Sequence, residues 1–373
     1  MFKPLAVFAL LATVSARKCT DITVPVSLKA ENAVFDLDQP LTKVDVTDFI
    51  LNLSREGDDF VKAIQKGTTV ISGNYKLAAT YCEPDSKPGD EIQIMTHGIG
   101  FDRSYWDMPY NSYNYSYVSK AVDDHKYSTL TWDRLGIGAS SKGHPVDEIQ
   151  VFLEIAALSE LTRRARKGLL PGIKAKYSKA VHIGHSFGSV ITLALANTAP
   201  ELTDAIVLTG FAQTANYLSL FAVSNNFIPV KDSPLADKYP ASYFATASTV
   251  SVHMNFFAEG NFDPQMLDLA YKTAQPTTPG ELLTLAGPML KENSYTGPVL
   301  VVTGDRDIPF CGGNCMATAG VDEALPSLLD TSKKFFPQAS RLNTTVIPGT
   351  GHGMNLEYTC GQTYDAILGF LAE

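Results

Sequence analysis

Short apolar and β-branched runs alternate along this sequence with stretches of helical spacing. The predicted strands are Glu91 to Thr96, Ser128 to Trp132, Ala180 to Gly184, Ala205 to Thr209, Val299 to Thr303 and Arg341 to Ile347. One helix is predicted after Pro145, where apolar residues from Ile149 to Leu161 recur at helical spacing, and another over Ser186 to Asn197. Strands that alternate with helices pair into a mostly parallel, doubly wound sheet, so the pattern predicts an α/β fold.

The alternation breaks between residues 212 and 295, which separate two predicted strands. This stretch contains seven prolines, which favour short helices joined by turns over one long helix. We interpret it as a cap inserted into a core of residues 68–211 and 296–373. The alternative is a continuation of the core with weakly marked helices. Residues 17–67 form an N-terminal extension in this scheme.

The first 16 residues have the pattern of a secretory signal peptide. Lys3 precedes an apolar run from Leu5 to Val14, and small residues end at Ala16. The pattern predicts secretion, and an oxidising compartment would favour up to two disulfides with one thiol unpaired. The five cysteines are Cys19, Cys82, Cys311, Cys315 and Cys360. Their spacing leaves the connectivity open.

Composition excludes several classes of function. The 30 Lys and Arg residues against 39 Asp and Glu residues give a net charge of −9, which argues against a nucleic-acid partner. No apolar run reaches the roughly 18 residues that span a bilayer. Cys311 and Cys315 could begin a zinc site, but no second pair of ligands has matching spacing, so no metal is expected. Three glycosylation sequons, at Asn52, Asn114 and Asn343, are compatible with export.

The pentapeptide Gly184-His185-Ser186-Phe187-Gly188 stands where a predicted strand meets a predicted helix. Glycines there let the strand and the helix approach closely, while a serine in a strained turn projects its hydroxyl above the sheet. Upstream, His97-Gly98-Ile99-Gly100 follows another predicted strand. A backbone N–H of that loop, together with the N–H of Phe187, would stabilise negative charge on a carbonyl oxygen.

A serine hydroxyl needs a base to become a nucleophile, and the base needs an orienting carboxylate. His352 follows the last predicted strand in Gly349-Thr350-Gly351-His352. Asp307 and Asp305 both follow the strand that begins at Val299. The sequence therefore predicts a triad of Ser186, His352 and a carboxylate, for which Asp307 is the first candidate and Asp305 the second.

These motifs, in this order, resemble the α/β-hydrolase superfamily, in a capped and secreted form of the kind common in fungi. The resemblance covers roughly Thr68 to the C-terminus. It implies that Ser186 is the nucleophile, His352 the base and Asp307 the acid, since the family often places its acid in a Gly-x-x-Asp pattern. It also implies that Ile99 and Phe187 supply the oxyanion hole. A serine nucleophile departs from the aspartate of the epoxide-hydrolase and dehalogenase branches.

The expected activity is hydrolysis of a carboxylic ester or lactone through an acyl-enzyme on Ser186, with a small apolar substrate and no cofactor. Tyr105 and Trp106, which follow the oxyanion loop, are predicted to contact the substrate. Aromatic and apolar cap residues could hold an acyl group, although ordinary packing explains them as well: Phe221, Phe227, Tyr243, Phe244, Met254, Phe256 and Phe257. The alternatives are an acyltransferase or cyclase of secondary metabolism and a non-catalytic ligand-binding protein.

Overall fold

An eight-stranded sheet organises the chain in the computed structural model, which describes residues 17–86 and 88–373. The strands are β1 Lys18–Phe35, β2 Gln65–Glu83, β3 Glu91–Thr96, β4 Ser128–Trp132, β5 Lys179–His185, β6 Ala205–Thr209, β7 Val299–Gly304 and β8 Leu342–Ile347. Their order across the sheet is β1-β2-β4-β3-β5-β6-β7-β8. The pairs β1–β2 and β2–β4 are antiparallel, and the pairs from β4 to β8 are parallel. The predicted α/β fold is confirmed.

Helices cover this sheet because its central strands are apolar on both faces. Every residue of β4, β6 and β7 is buried, as expected for parallel strands between two helical layers. The helices are α1 Lys43–Leu53, α2 Phe60–Ile64, α3 Tyr117–Ser119, α4 Val151–Lys167, α5 Phe187–Thr198, α6 Leu218–Ser224, α7 Thr249–Phe256, α8 Pro264–Lys272, α9 Pro279–Thr284, α10 Ala286–Met289, α11 Ile308–Cys311 and α12 Cys360–Leu371. Helix α5 packs on β5 and β6, and α4 packs on β1.

The segment of residues 17–67, separated from the core on its sequence pattern, contributes β1, α1, α2 and the start of β2. The long antiparallel pair β1–β2 places these residues in the same sheet as the rest of the chain. The signal-peptide prediction falls on residues 1–16, outside the described residues, and it stays a prediction together with secretion. No helix in the described part of the chain is both long and apolar enough to span a membrane.

Between residues 212 and 295 the structure forms short helices, α6 to α10, and a two-stranded pair of Ile228–Pro229 with Phe244–Ala245. Two of the seven prolines begin helices here. Pro264 and Pro279 each stand in a first helical turn, where a missing N–H costs little, and Asp263 and Thr278 cap those turns. The prolines therefore set where these helices start.

Two disulfides form, as expected. They join Cys19 to Cys82 and Cys311 to Cys315, and Cys360 is a buried free thiol. The Cys311–Cys315 bond replaces the zinc-site alternative for that pair. Of the sequons, Asn114 and Asn343 are exposed and Asn52 is half-buried, while glycosylation itself stays a prediction.

The two disulfides should differ in their contribution to stability. Cys19 and Cys82 are 63 residues apart, whereas Cys311 and Cys315 are four apart. Because a longer closed loop removes more entropy from the unfolded chain, C19S/C82S should lower the free energy of unfolding by about 2–4 kcal/mol. C311S/C315S should lower it less. Urea unfolding of both variants measures the difference, and equal losses would contradict the entropic explanation.

Candidate active site

Ser186 lies at the turn from β5 into α5 with φ of 55° and ψ of −118°, a conformation that non-glycine residues rarely adopt. The glycines two positions away on each side make this turn sterically feasible. A Cβ at Gly184 would lie 2.4 Å from the carbonyl oxygen of Gly188, and one at Gly188 would lie 2.1 Å from that of Thr96. The pentapeptide is therefore packed too tightly for larger residues at these two positions, and the strained serine is held in place from both sides.

His352 and Asp307 meet at the same edge of the sheet, following β8 and β7. The Nδ1 atom of His352 lies 2.7 Å from Oδ2 of Asp307, and both side chains are fully buried. A carboxylate can only accept, so Nδ1 of His352 is the donor in this hydrogen bond. Nε2 is buried and has no hydrogen-bond partner among the described residues.

Two further donors fix the Asp307 carboxylate. The hydroxyl of Thr303 donates to Oδ2 over 2.6 Å, and the backbone N–H of Phe310 donates to Oδ1 over 2.8 Å. Asp305, the second candidate for the acid, instead accepts a hydrogen bond from the backbone N–H of Thr350 over 3.3 Å. The geometry thus pairs the histidine with Asp307.

The loop after β3 packs directly against Ser186. A Cβ at Gly98 would be 2.8 Å from Cβ of Ser186, so this position requires glycine. Next to it, Ile99 is buried, and Phe187 is the first residue of α5, where backbone N–H groups have no acceptor within the helix. The two residues predicted to supply the oxyanion hole therefore flank Ser186 along this loop and this helix start.

His97 holds the same loop in shape. Its Nδ1–H donates to the carbonyl of Gly98 over 2.9 Å, and its Nε2 accepts from the backbone N–H of Arg134 over 3.0 Å. This pattern requires the neutral ring, and burial lowers the pKa of His97 well below its usual value. His97 thereby ties the loops that follow β3 and β4 without changing its charge.

Tyr105 and Trp106 lie on the far side of His185 from His352. Tyr105 stacks on His185 with ring centroids 4.3 Å apart, and the His185 ring is 4.9 Å from that of His352. Trp106 packs edge-on against Tyr105 and Tyr117, one layer further from the site. Their predicted contact with the substrate stays a prediction. In the structure, Tyr105 supports His185, and Trp106 supports Tyr105.

A family comparison identifies this architecture. The model of the alpha/beta hydrolase family matches residues 93–366, about three quarters of the chain. The chain belongs to the alpha/beta hydrolase family.

Individual relatives of the family are distant. A curated relative, "Putative carbamate hydrolase RutD" of Cronobacter sakazakii, is 25% identical over 158 residues, which are 42% of this chain and 49% of that protein. The chain thus aligns with about half of that relative's length. A thermophilic esterase from Thermogutta terrifontis superposes with a TM-score of 0.54 at 16% identity, covering 80% of this chain and 94% of that one. An enol-lactonase from Burkholderia xenovorans superposes with a TM-score of 0.53 at 14% identity, covering 80% and 97%. At these identities the superpositions show a shared fold.

Residues that the sequence motifs do not mark also shape the site. Glu357 joins the loop that carries His352 to residues that follow α7. Its carboxylate accepts from the backbone N–H of Ala258, from that of Gly351 over 2.7 Å, and from Nδ2 of Asn261 over 3.1 Å. No local sequence signal indicates this role, because two of the three partners lie about a hundred residues upstream of Glu357.

The protonation of Glu357 should make stability depend on pH. Burial raises the pKa of its carboxyl from 4.5 to about 7, although the three N–H donors oppose this shift. The folded state therefore retains a proton that the unfolded chain loses, which stabilises the fold below pH 4.5 and ceases to do so as the pH rises through about 7. Relative to E357Q, the wild type should lose Tm between about pH 5 and pH 8. E259Q, which alters the exposed carboxyl next to Ala258, is the control and should follow the wild type; parallel curves for the wild type and E357Q would refute the expectation.

Proposed function

We propose that this protein is a serine hydrolase that cleaves a carboxylic ester or lactone through an acyl-enzyme on Ser186. The observation that carries the proposal is the buried pair of His352 and Asp307, whose 2.7 Å contact at Nδ1 leaves Nε2 without a hydrogen-bond partner among the described residues. The strained position of Ser186 at the start of α5 supports its role as the nucleophile.

In the proposed reaction, Nε2 of His352 removes the proton from Ser186 as Oγ forms a bond to the substrate carbonyl carbon. Negative charge develops on the carbonyl oxygen, and the backbone N–H groups of Ile99 and Phe187 stabilise it. The tetrahedral intermediate collapses as the imidazolium returns its proton to the departing alkoxide. A water molecule, deprotonated by the same histidine, then attacks the acyl-enzyme and releases the carboxylic acid.

Asp307 has two tasks in this sequence of steps. It holds the imidazole in the tautomer that exposes a basic Nε2, and it stabilises the imidazolium that forms transiently. The Thr303 hydroxyl donates to the oxygen that also contacts His352, and the Phe310 N–H donates to the other oxygen, so both oxygens are held. The carboxylate therefore stays oriented while the charge on the histidine changes.

The proposed substrates are compounds that contain an acyl carbonyl. Esters, lactones and the carbamates named for the curated relative all place a leaving group on such a carbonyl, and one nucleophile and one oxyanion hole serve them all. The uncharged aromatic surroundings of His352, provided by Phe256 and Phe310, support an ester or lactone with apolar substituents.

Substitution of the nucleophile tests the proposal directly. The wild type should hydrolyse p-nitrophenyl acetate and should be labelled by a small fluorophosphonate at Ser186 with one-to-one stoichiometry. S186A should lose both properties while its circular dichroism stays unchanged, because the substitution removes a single oxygen atom from a small side chain. Mass spectrometry locates the label. Undiminished hydrolysis by S186A would remove Ser186 from the mechanism.

The choice of acid can be tested with a matched pair of variants. D307N should reduce kcat by about a thousandfold or more, because an amide cannot hold the imidazole in the required tautomer. D305N removes a carboxylate from the same loop. Asp305 accepts a hydrogen bond from the backbone N–H of Thr350 and lies 3.8 Å from Nε of Arg306, and D305N should keep activity within a few-fold of the wild type. Steady-state kinetics on one ester decides between them, and equal losses would contradict the assignment.

A further inference from the structure

The ring of Phe256 lies between the oxyanion loop and the catalytic histidine. At one end, a Cβ at Gly100 would be only 3.3 Å from Cζ of Phe256. The ring centroid is 4.8 Å from that of Phe101 and 5.8 Å from that of His352, and its plane is inclined by 29° to the imidazole. Phe256 therefore contacts both sides of the space in which the proposed reaction takes place.

The backbone of Phe256 is fixed as firmly as its ring. Its carbonyl oxygen accepts from the N–H of Gly353 over 2.6 Å, directly after the catalytic histidine. The side chain is 2% exposed, and the nucleophile and base beneath this part of the cap are 7% and 1% exposed. The last residue of α7 thus covers the site while being tied to the loop that carries the base.

We infer that Phe256 is a specificity-determining residue that limits the size of the group attached to the reacting carbonyl, an inference that rests on the proposed function. The carbonyl carbon must reach Oγ of Ser186 while its oxygen lies at the N–H groups of Ile99 and Phe187. The substituents then extend into the gap between that loop and His352. Because the Phe256 ring spans this gap, it admits small acyl groups and opposes long or branched ones.

Phe257 provides a matched control on the next position of the chain. Its ring lies 5.0 Å from that of Phe262, and it lines a different space, a surface groove of about 770 Å³ between α6, α7 and α11. Phe257 is also buried, so its truncation removes a ring of the same size from the same turn. Any general weakening of the cap should therefore appear in both alanine variants.

The experiment compares kcat/KM for p-nitrophenyl acetate and p-nitrophenyl octanoate in the wild type, F256A and F257A. F256A should raise the octanoate-to-acetate ratio of kcat/KM on the order of tenfold, since the substitution removes a ring that obstructs the long acyl group and not the short one. F257A should leave the ratio unchanged. The ratio does not depend on the fraction of folded enzyme. F256L, a smaller truncation that preserves an apolar contact, should give an intermediate ratio and guards against misfolding of F256A.

Covalent labelling separates the failure of this inference from the failure of the proposed function. Fluorophosphonates with a methyl and with a dodecyl substituent should label wild-type Ser186 at different rates, and F256A should reduce that difference. If neither probe labels Ser186 in the wild type or in F256A, the proposed function fails. If both probes label it and the rate ratio is the same in the wild type, F256A and F257A, the inference about Phe256 alone is overturned.

Discussion

The hydrogen bond between His352 and Asp307 depends on a carboxylate that is buried without contact with water. An isolated buried charge would be prohibitively costly, and three donors make this one tolerable: the imidazole Nδ1–H, the Thr303 hydroxyl and the Phe310 N–H. The sheet supplies the geometry. Strands β7 and β8 are parallel neighbours, paired from Val299 with Leu342 to Gly304 with Ile347, so the loops that follow them emerge side by side. The contact between His352 and Asp307 follows from that register.

Helices α7 and α9, which lie within residues 212–295, are also attached to the residues around this pair. Glu357 and the carbonyl of Phe256 attach the His352 loop to the end of α7. On the other side, the fully buried guanidinium of Arg134 bonds Glu154 of α4 over 2.7 Å and also bonds Glu281 of α9. The same guanidinium lies 4.7 Å above the ring of Phe187. Residues 212–295 are thereby joined to the loop that carries His352 and, through Arg134, to the ring of Phe187 at the start of α5.

Local sequence patterns were sufficient for the six strands from β3 to β8 and for the positions of Ser186 and His352. The predicted runs end within a residue of these strands, and β6 and β7 are the fully buried, nearly continuous apolar runs expected of parallel strands. Patterns could not choose between Asp305 and Asp307 by themselves, since both follow the same strand and only tertiary contacts separate their roles. Strand β1 and its pairing with β2 were missed because the paired residues are distant in sequence, up to 65 residues between Lys18 and Glu83. The contacts of Phe256 and Glu357 were missed for the same reason.

Phe256 lies against the loop after β3 and against His352, and two displacements would move its ring away from them. Moving the backbone of residues 256–261 would break the Gly353–Phe256 bond, the bonds of Ala258 and Asn261 to Glu357, and the Tyr358–Asn261 bond, each worth about 1 kcal/mol. Rotating the Phe256 ring breaks none of them and costs mainly its packing against Phe101 and His352. Rotation of the ring alone therefore leaves these backbone hydrogen bonds in place, and with them the attachment of residues 256–261 to the loop that carries His352.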